Sequence, residues 1–183
     1  LPNWKDIERD ATDPNNYISG RVCDHYGRYK EDFDLAKSLG HNAHRFSIEW
    51  SRIEPEEGKF DETEIEHYRD VVKALRVRGM EPFVTIWHWT LPVWLARKGG
   101  FSHRSFPNHF ERYAKKIVRE IGSDVKFWIT LNEPDVVASH SYLKGVWPPQ
   151  NKNLFTYYLS LKTLIKAHKL AYTAIKKINR NAE

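Results

Sequence analysis

The 183-residue sequence has one cysteine, one methionine and no run of about 18 apolar residues. Cys23 has no second cysteine with which to form a disulfide or a zinc cluster, which predicts an intracellular, cytoplasmic setting. The absence of a long apolar run predicts no membrane span. The chain begins at Leu1 rather than at an initiator methionine, so we expect residues to be missing upstream.

The sequence also lacks two signals of cofactor binding. No Gly-rich phosphate loop follows any apolar run, which argues against a nucleotide site. No metal-ligand spacing is found among His41, His44, His103, His109, His140 and His168. We therefore expect neither a cofactor nor a metal.

The formal net charge is +5, which raises the alternative of a nucleic-acid partner. Acidic and basic residues alternate over residues 61–78 and 111–120, as on solvated helix faces, and only residues 162–180 are one-sidedly basic. Those cations lie mostly in the second half of a predicted helix, where they favour the negative end of its dipole. The charge pattern therefore favours a solvated surface over nucleic-acid binding.

Hydrophobic periodicity predicts alternating helices and strands in the order α-β-α-β-α-β-α. The predicted helices cover residues 25–39, 63–78, about 105–122 and 154–178, and the predicted strands cover residues 43–50, 82–89 and 125–133. Three- and four-residue spacing predicts the buried apolar positions of three helices. They are Tyr26, Tyr29, Phe33, Ala36 and Leu39 in the first, Ile65, Tyr68, Val72 and Leu75 in the second, and Tyr158, Leu161, Ile165 and Tyr172 in the last. Ser105 is expected to cap the third helix. We expect residues 1–183 to form a single partial domain.

This order implies parallel strands joined by right-handed helical crossovers, in a barrel or a doubly wound sheet. In both architectures the functional residues lie at the carboxyl ends of the strands. The absence of a phosphate loop favours the barrel. The residues predicted at those ends are Trp50, His88, Trp89, Asn132 and Glu133.

Glu133 follows the bulky run at residues 125–129, which we expect to be a strand buried on both faces. Pro134 has no N–H for a sheet and disfavours helical dihedrals at the residue before it. These properties predict an extended Glu133 whose carboxyl group points into a cleft. The competing interpretation is an ordinary solvent-exposed glutamate.

Three motifs occur in order: residues 45–55 (RFSIEWSRIEP), 87–92 (WHWTLP) and 130–134 (TLNEP). Together with residues 24–26 and 145–149 they resemble glycoside hydrolase family 1, the β-glucosidase family. The resemblance implies a (β/α)8 barrel that cleaves β-glycosides with retention. It places this chain in the N-terminal half, at about strands 2–4 with helices 1–4.

The resemblance also implies roles for five residues. Glu133 resembles the acid/base, and Asn132 resembles the donor to the sugar 2-hydroxyl. His88 and Trp89 resemble the pair that binds the glycone sugar, and Arg45 resembles the residue that orients the nucleophile. Asn132 and Glu133 would face opposite ways on an ideal strand, so both serve one site only if the strand bends there.

Purely structural roles remain open for three of these residues. His88 and Trp89 could be core side chains, and Arg45 could simply pair with Glu49. The sequence also departs from the family at Thr90, where many relatives have aspartate.

The resemblance implies that part of the catalytic apparatus lies outside these 183 residues. The sequence contains no Glu-Asn-Gly tripeptide, the segment that carries the nucleophile in the family. We therefore expect a feeble hydrolase that associates with a complementary C-terminal barrel half or with itself, because its sheet edges would otherwise be uncovered. The alternative function is a non-catalytic carbohydrate-binding or scaffold fragment.

Overall fold

The computed structural model describes residues 23–183, so the first 22 residues of the predicted domain lie outside the described residues. Seven α-helices and three strands follow one another along the described chain. The helices are α1 (His25–Ser38), α2 (Trp50–Ile53), α3 (Glu62–Val77), α4 (Val93–Arg97), α5 (Phe106–Ile121), α6 (Pro134–Ala138) and α7 (Leu154–Ile178). The strands are β1 (Ala43–Ser47), β2 (Glu81–Trp87) and β3 (Phe127–Leu131).

The three strands form one parallel sheet in the order β1-β2-β3. The central strand β2 is largely buried, whereas all five residues of β3 are half-buried. The expectation that this strand is buried on both faces is therefore wrong for the described residues. Within residues 23–183, β1 and β3 each have one neighbouring strand, so each is an edge of the sheet.

Helix α3 illustrates how the sequence sets a helix and its buried face. The Asp61 carboxylate accepts hydrogen bonds from the backbone N–H groups of Thr63 and Glu64, which caps the helix start. The side chains predicted to face inward are buried, at three- and four-residue spacing. These side chains are Ile65, Tyr68, Val72 and Leu75.

The first strand is shorter than predicted, since it ends at Ser47 rather than at residue 50. Strand β1 ends at Ser47, because Glu49 caps the short helix α2 by accepting a hydrogen bond from the N–H of Ser51. Trp50 consequently points into the core, where it is fully buried and stacks on Tyr113 of α5 at a centroid distance of 4.7 Å. Trp50 therefore follows the carboxyl end of β1, as predicted, but its side chain belongs to the core.

Helix α7 has the predicted bounds but not the predicted buried face. Tyr158, Ile165 and Tyr172 are 65%, 54% and 53% exposed, so the assignment of these three side chains to the core is wrong. The buried positions are mostly small, among them Ala167 and Ala171. Small side chains let α7 approach α5 closely, and the larger apolar residues are left on the outer face.

Three smaller features also differ from the predictions. The hydroxyl of Ser105, predicted to cap α5, bonds His103 Nδ1 at 2.6 Å and makes no cap hydrogen bond. Tyr26 and Leu39, expected on the buried stripe of the first helix, are 40% and 70% exposed. Helix α4 was not predicted. None of the helices in residues 23–183 is both long and apolar enough to cross a membrane.

Candidate active site

The predicted site residues lie at the carboxyl edge of the parallel sheet. The ladder continues just past the strands, since Ile48 N–H donates to Thr85 O and Asn132 N–H donates to Trp87 O, both at 3.0 Å. These bonds fix the height of the residues that follow each strand. Arg45 lies on β1, His88 and Trp89 follow β2, and Asn132 follows β3.

Arg45 joins the first strand to the other two. Its Nε donates to Thr85 Oγ1 on β2 at 3.0 Å, and its Nη2 donates to Asn132 Oδ1 at 2.5 Å. Thr85 is fully buried and Asn132 is 8% exposed, so the guanidinium reaches over well-fixed partners. The alternative partner Glu49 instead accepts hydrogen bonds from Ser51 and from the hydroxyl of Thr90.

His88 is held at both ring nitrogens. Its Nδ1 lies 3.0 Å from Ser47 Oγ, and its Nε2 lies 3.2 Å from Asn132 Nδ2. The side chain is exposed rather than buried. A ring that is fixed by two hydrogen bonds and open to solvent is suited to binding a polar ligand, so the core alternative for His88 does not describe its position.

Trp89 is half-buried and packs at the same edge. Its backbone has φ of 78°, an uncommon value for a side chain of this size, and its indole N–H donates to Asn132 O at 3.2 Å. Its ring lies 4.9 Å from that of Trp147, and a largely apolar cavity of about 540 Å³ extends beside both rings. Two aromatic faces therefore flank the polar residues.

The backbone at Glu133 differs from the prediction. Glu133 has φ of 44° and ψ of 59°, which is left-handed, so the expected extended conformation is wrong. The chain turns there directly into α6, whose first residue is Pro134. A non-glycine residue in this region costs about 1–3 kcal/mol, and such residues cluster at functional sites. This turn is the bend that two neighbouring residues, Asn132 and Glu133, would need to serve one site.

Hydrogen bonds of Glu49 with Tyr68 and Thr90 hold the loop that follows β1. Glu49 N–H donates to the hydroxyl of Tyr68 at 3.0 Å, and burial raises the pKa of Tyr68 to about 12. Thr90 Oγ1 donates to Glu49 Oε2 at 2.6 Å, which links the loops after β1 and β2. The family departure at Thr90 is therefore a structural contact in this chain.

Sequence reasoning missed three residues at this edge: Ser47, Thr85 and Trp147. Ser47 shares the strand face of Arg45, two residues away, and this spacing was a usable signal. Thr85 carries a hydroxyl group within the largely apolar strand β2. Trp147 is brought to Trp89 only by the tertiary fold. No group of three or more potential metal ligands converges anywhere in residues 23–183.

Hydrogen bonds bring together an imidazole, a buried amide and an indole at this edge, and the exposed Glu133 is the next residue along the chain. Hydroxyl groups of a ligand would find hydrogen-bonding partners in the imidazole and the amide. The C–H face of a sugar ring would find an apolar surface on an indole ring. The geometry is therefore suited to carbohydrate chemistry with a carboxyl group as proton donor or acceptor.

Comparison with known proteins agrees with this assignment. A sequence model of glycosyl hydrolase family 1 matches residues 4–183. β-Glucosidase A of Thermotoga maritima is 38% identical over 167 residues, which are 90% of this chain and 37% of that protein. β-Glucosidase 42 of Arabidopsis thaliana is 40% identical over 155 residues, which are 82% of this chain and 32% of that protein.

A solved structure of the Thermotoga maritima β-glucosidase with deoxynojirimycin superposes with a TM-score of 0.85 at 38% identity. The match covers 88% of this chain and 37% of that one, so the chain spans just over a third of the length of its relative. The sheet and its helices are accordingly a portion of a (β/α)8 barrel rather than of a doubly wound sheet. The chain belongs to glycosyl hydrolase family 1.

Proposed function

We propose that this chain is the acid/base-bearing part of a retaining β-glycosidase that hydrolyses terminal β-linked glucosides or related sugars. The observation that carries the proposal is the left-handed turn at Glu133, which follows Asn132 and its contacts with His88, Trp89 and Arg45. The relatives named β-glucosidases, one of them solved with deoxynojirimycin, support the substrate class.

Each residue has a defined task in this proposal. Glu133 protonates the departing glycosidic oxygen and later removes a proton from the attacking water. Asn132 donates to the sugar 2-hydroxyl, while His88 and Trp89 bind the glycone. Arg45 orients the nucleophile through a charge-assisted contact. The site needs neither metal nor cofactor for these steps.

The nucleophile and the remaining barrel strands complete the site from outside these 183 residues. They belong either to a longer form of this polypeptide or to another chain. Two observations support such a complement: β1 and β3 are sheet edges in the described residues, and α7 carries exposed Tyr158, Ile165 and Tyr172 at heptad spacing. In this proposal residues 1–183 form one partial domain that folds against that complement.

Complementation tests the catalytic proposal. The chain is coexpressed with the C-terminal remainder of Thermotoga maritima β-glucosidase A, and aryl β-glucoside hydrolysis is measured. We expect Glu133→Gln to lower the rate by about 10²–10⁴-fold, which is the usual contribution of a general acid or base. The matched control is Glu183→Gln, which removes an exposed carboxylate paired with Lys126 and should leave the rate unchanged.

The leaving group makes the test specific for acid catalysis. An aglycone that leaves readily as an anion needs no proton, so Glu133→Gln should slow cleavage of a phenyl glucoside far more than cleavage of a dinitrophenyl glucoside. Equal losses on both substrates, or an unchanged rate, would exclude the acid/base role. Sugar binding without turnover in an assembled complex would favour the alternative, a non-catalytic carbohydrate-binding or scaffold fragment.

Native mass spectrometry tests the association. We expect the chain to be recovered with a complementary polypeptide or as a self-associated particle. Self-association alone is the weaker arrangement, because two copies bring six of these strands rather than the eight of the barrel. A compact, stable particle of one 183-residue chain would contradict the proposal.

A further inference from the structure

The hydrogen bonds around Arg45 have a fixed direction. A guanidinium group only donates, so the oxygen and not the nitrogen of the Asn132 amide must face Arg45 Nη2, 2.5 Å away. Arg45 itself is held by its second donor, Nε, on the buried hydroxyl of Thr85. Because Asn132 is 8% exposed, water has little access to reorient its amide group.

The orientation of the Asn132 amide determines which ring nitrogen of His88 carries the proton. With its oxygen facing Arg45, Asn132 presents Nδ2, a pure donor, to His88 Nε2 at 3.2 Å. His88 Nε2 must therefore accept. In a neutral imidazole the proton then lies on Nδ1, which donates to Ser47 Oγ at 3.0 Å. The opposite tautomer would bring two donors face to face.

We propose that Arg45, acting through Asn132, and Ser47 are positioning residues that fix His88 as the Nδ1–H tautomer, so that a sugar hydroxyl which replaces Asn132 Nδ2 at His88 Nε2 must donate its hydrogen bond there. This assigns Arg45 a task besides orienting a nucleophile. The sugar part of the inference rests on the proposed function, whereas the tautomer does not. Asn132 Nδ2, once replaced at His88 by this hydroxyl, is free to donate a hydrogen bond to the neighbouring sugar hydroxyl.

Nitrogen NMR measures the tautomer directly. The protein is labelled with ¹⁵N-histidine, and the His88 signals are identified among the nine histidines by their loss in His88→Gln. At a pH where the ring is neutral, we expect Nδ1 to be of the protonated type and Nε2 of the unprotonated type. The ratio of tautomers should be about tenfold or more, since the reversed form loses a hydrogen bond and opposes two donors.

Variants separate the two positioning residues from general folding effects. Arg45→Met removes the donor that orients Asn132 and should bring the two tautomers close to equal population, whereas Arg45→Lys, which still donates, should retain the preference. Ser47→Ala should reduce the ratio, and Ser47→Thr should restore it. Ser38→Ala is the control, because the Ser38 hydroxyl donates to Leu35 O at the exposed end of α1.

The remaining histidine signals report whether a variant folds. His168, whose Nδ1 lies 2.7 Å from Thr130 Oγ1, should keep its shifts in every variant. The wild-type spectrum decides even if Arg45→Met does not fold: a proton on Nε2, alone or with saturating methyl β-glucoside, overturns the proposal. Failure of the proposed function is recognised separately, by unchanged phenyl glucoside hydrolysis in Glu133→Gln.

Discussion

Removal of the buried carboxylate of Glu54 should strongly destabilise the fold. Glu54 is fully buried and accepts hydrogen bonds from Trp50 Nε1 at 2.9 Å, from Gly58 N–H at 2.7 Å and from Arg112. These contacts join the turn that follows α2 to helix α5. Glu54→Ala removes both acceptor oxygens, and with them all three hydrogen bonds, and leaves a cavity beside the Trp50 ring.

The magnitude follows from what happens to each donor. The Trp50 indole is fully buried, so its N–H is left unpaired, and an unsatisfied buried donor costs about 1–3 kcal/mol. The Gly58 N–H adds a smaller cost of the same kind. Arg112 is 37% exposed and regains water, so its contribution is discounted. We expect a loss of about 3–5 kcal/mol in the free energy of unfolding, as for other broken buried pairs.

Urea denaturation of the assembled protein, followed by circular dichroism, measures this loss through the midpoint and the slope. Glu54→Gln keeps the volume and one acceptor, and its cost should lie between those of alanine and wild type. The control Glu56→Ala removes a carboxylate that is 68% exposed and paired with Lys59, and it should change stability by less than about 0.5 kcal/mol. A loss below about 1 kcal/mol in Glu54→Ala would refute the reasoning, because it would mean that water satisfies the freed donors.

Three further predictions concern stability and use the same urea assay. Tyr113→Phe should cost about 1–2 kcal/mol, because the buried hydroxyl donates to Ile86 O at 2.9 Å; a neutral result would mean that this bond adds nothing. Asn153→Ala should cost about 0.5–2 kcal/mol through loss of the α7 cap, and Asn153→Asp should retain most of it. Burial lowers the pKa of His44 and of His109, so the unfolded chain binds protons first as the pH falls. The free energy of unfolding is therefore unaffected by these histidines above about pH 6.5 and falls as the pH drops towards their lower pKa values in the folded state. His109→Gln should reduce this acid-induced loss of stability. An equal loss in the variant and the wild type would contradict the role of His109.

Local sequence patterns correctly predicted the bounds of one helix and the buried face of another. Helix α7 has the predicted bounds, and the four inward positions of α3 are buried as expected. The buried face of α7 was not predictable in this way. Its apolar residues lie on more than one face, and contact with α5 selects the small ones, a choice that depends on a partner distant in sequence.

The sequence motifs correctly predicted which residues come together at the sheet edge, but the backbone conformation predicted for Glu133 was wrong. The motif residues Arg45, His88, Trp89 and Asn132 come together at one sheet edge, joined by hydrogen bonds that span up to 87 positions of sequence. No local pattern predicts the left-handed backbone at Glu133. Pro134 disfavours right-handed helical dihedrals at the preceding residue, but the entry into α6 decides between the extended and the left-handed conformation.

The sequence by itself determined the family, the parallel βα order and the identity of the residues at the strand ends, because motifs and periodicity are local properties of the chain. The tertiary structure alone decided what those residues contact. Ser47 and Thr85 acquire their roles only when three strands are aligned in register, since each hydrogen bond needs a donor and an acceptor from different strands within about 3 Å.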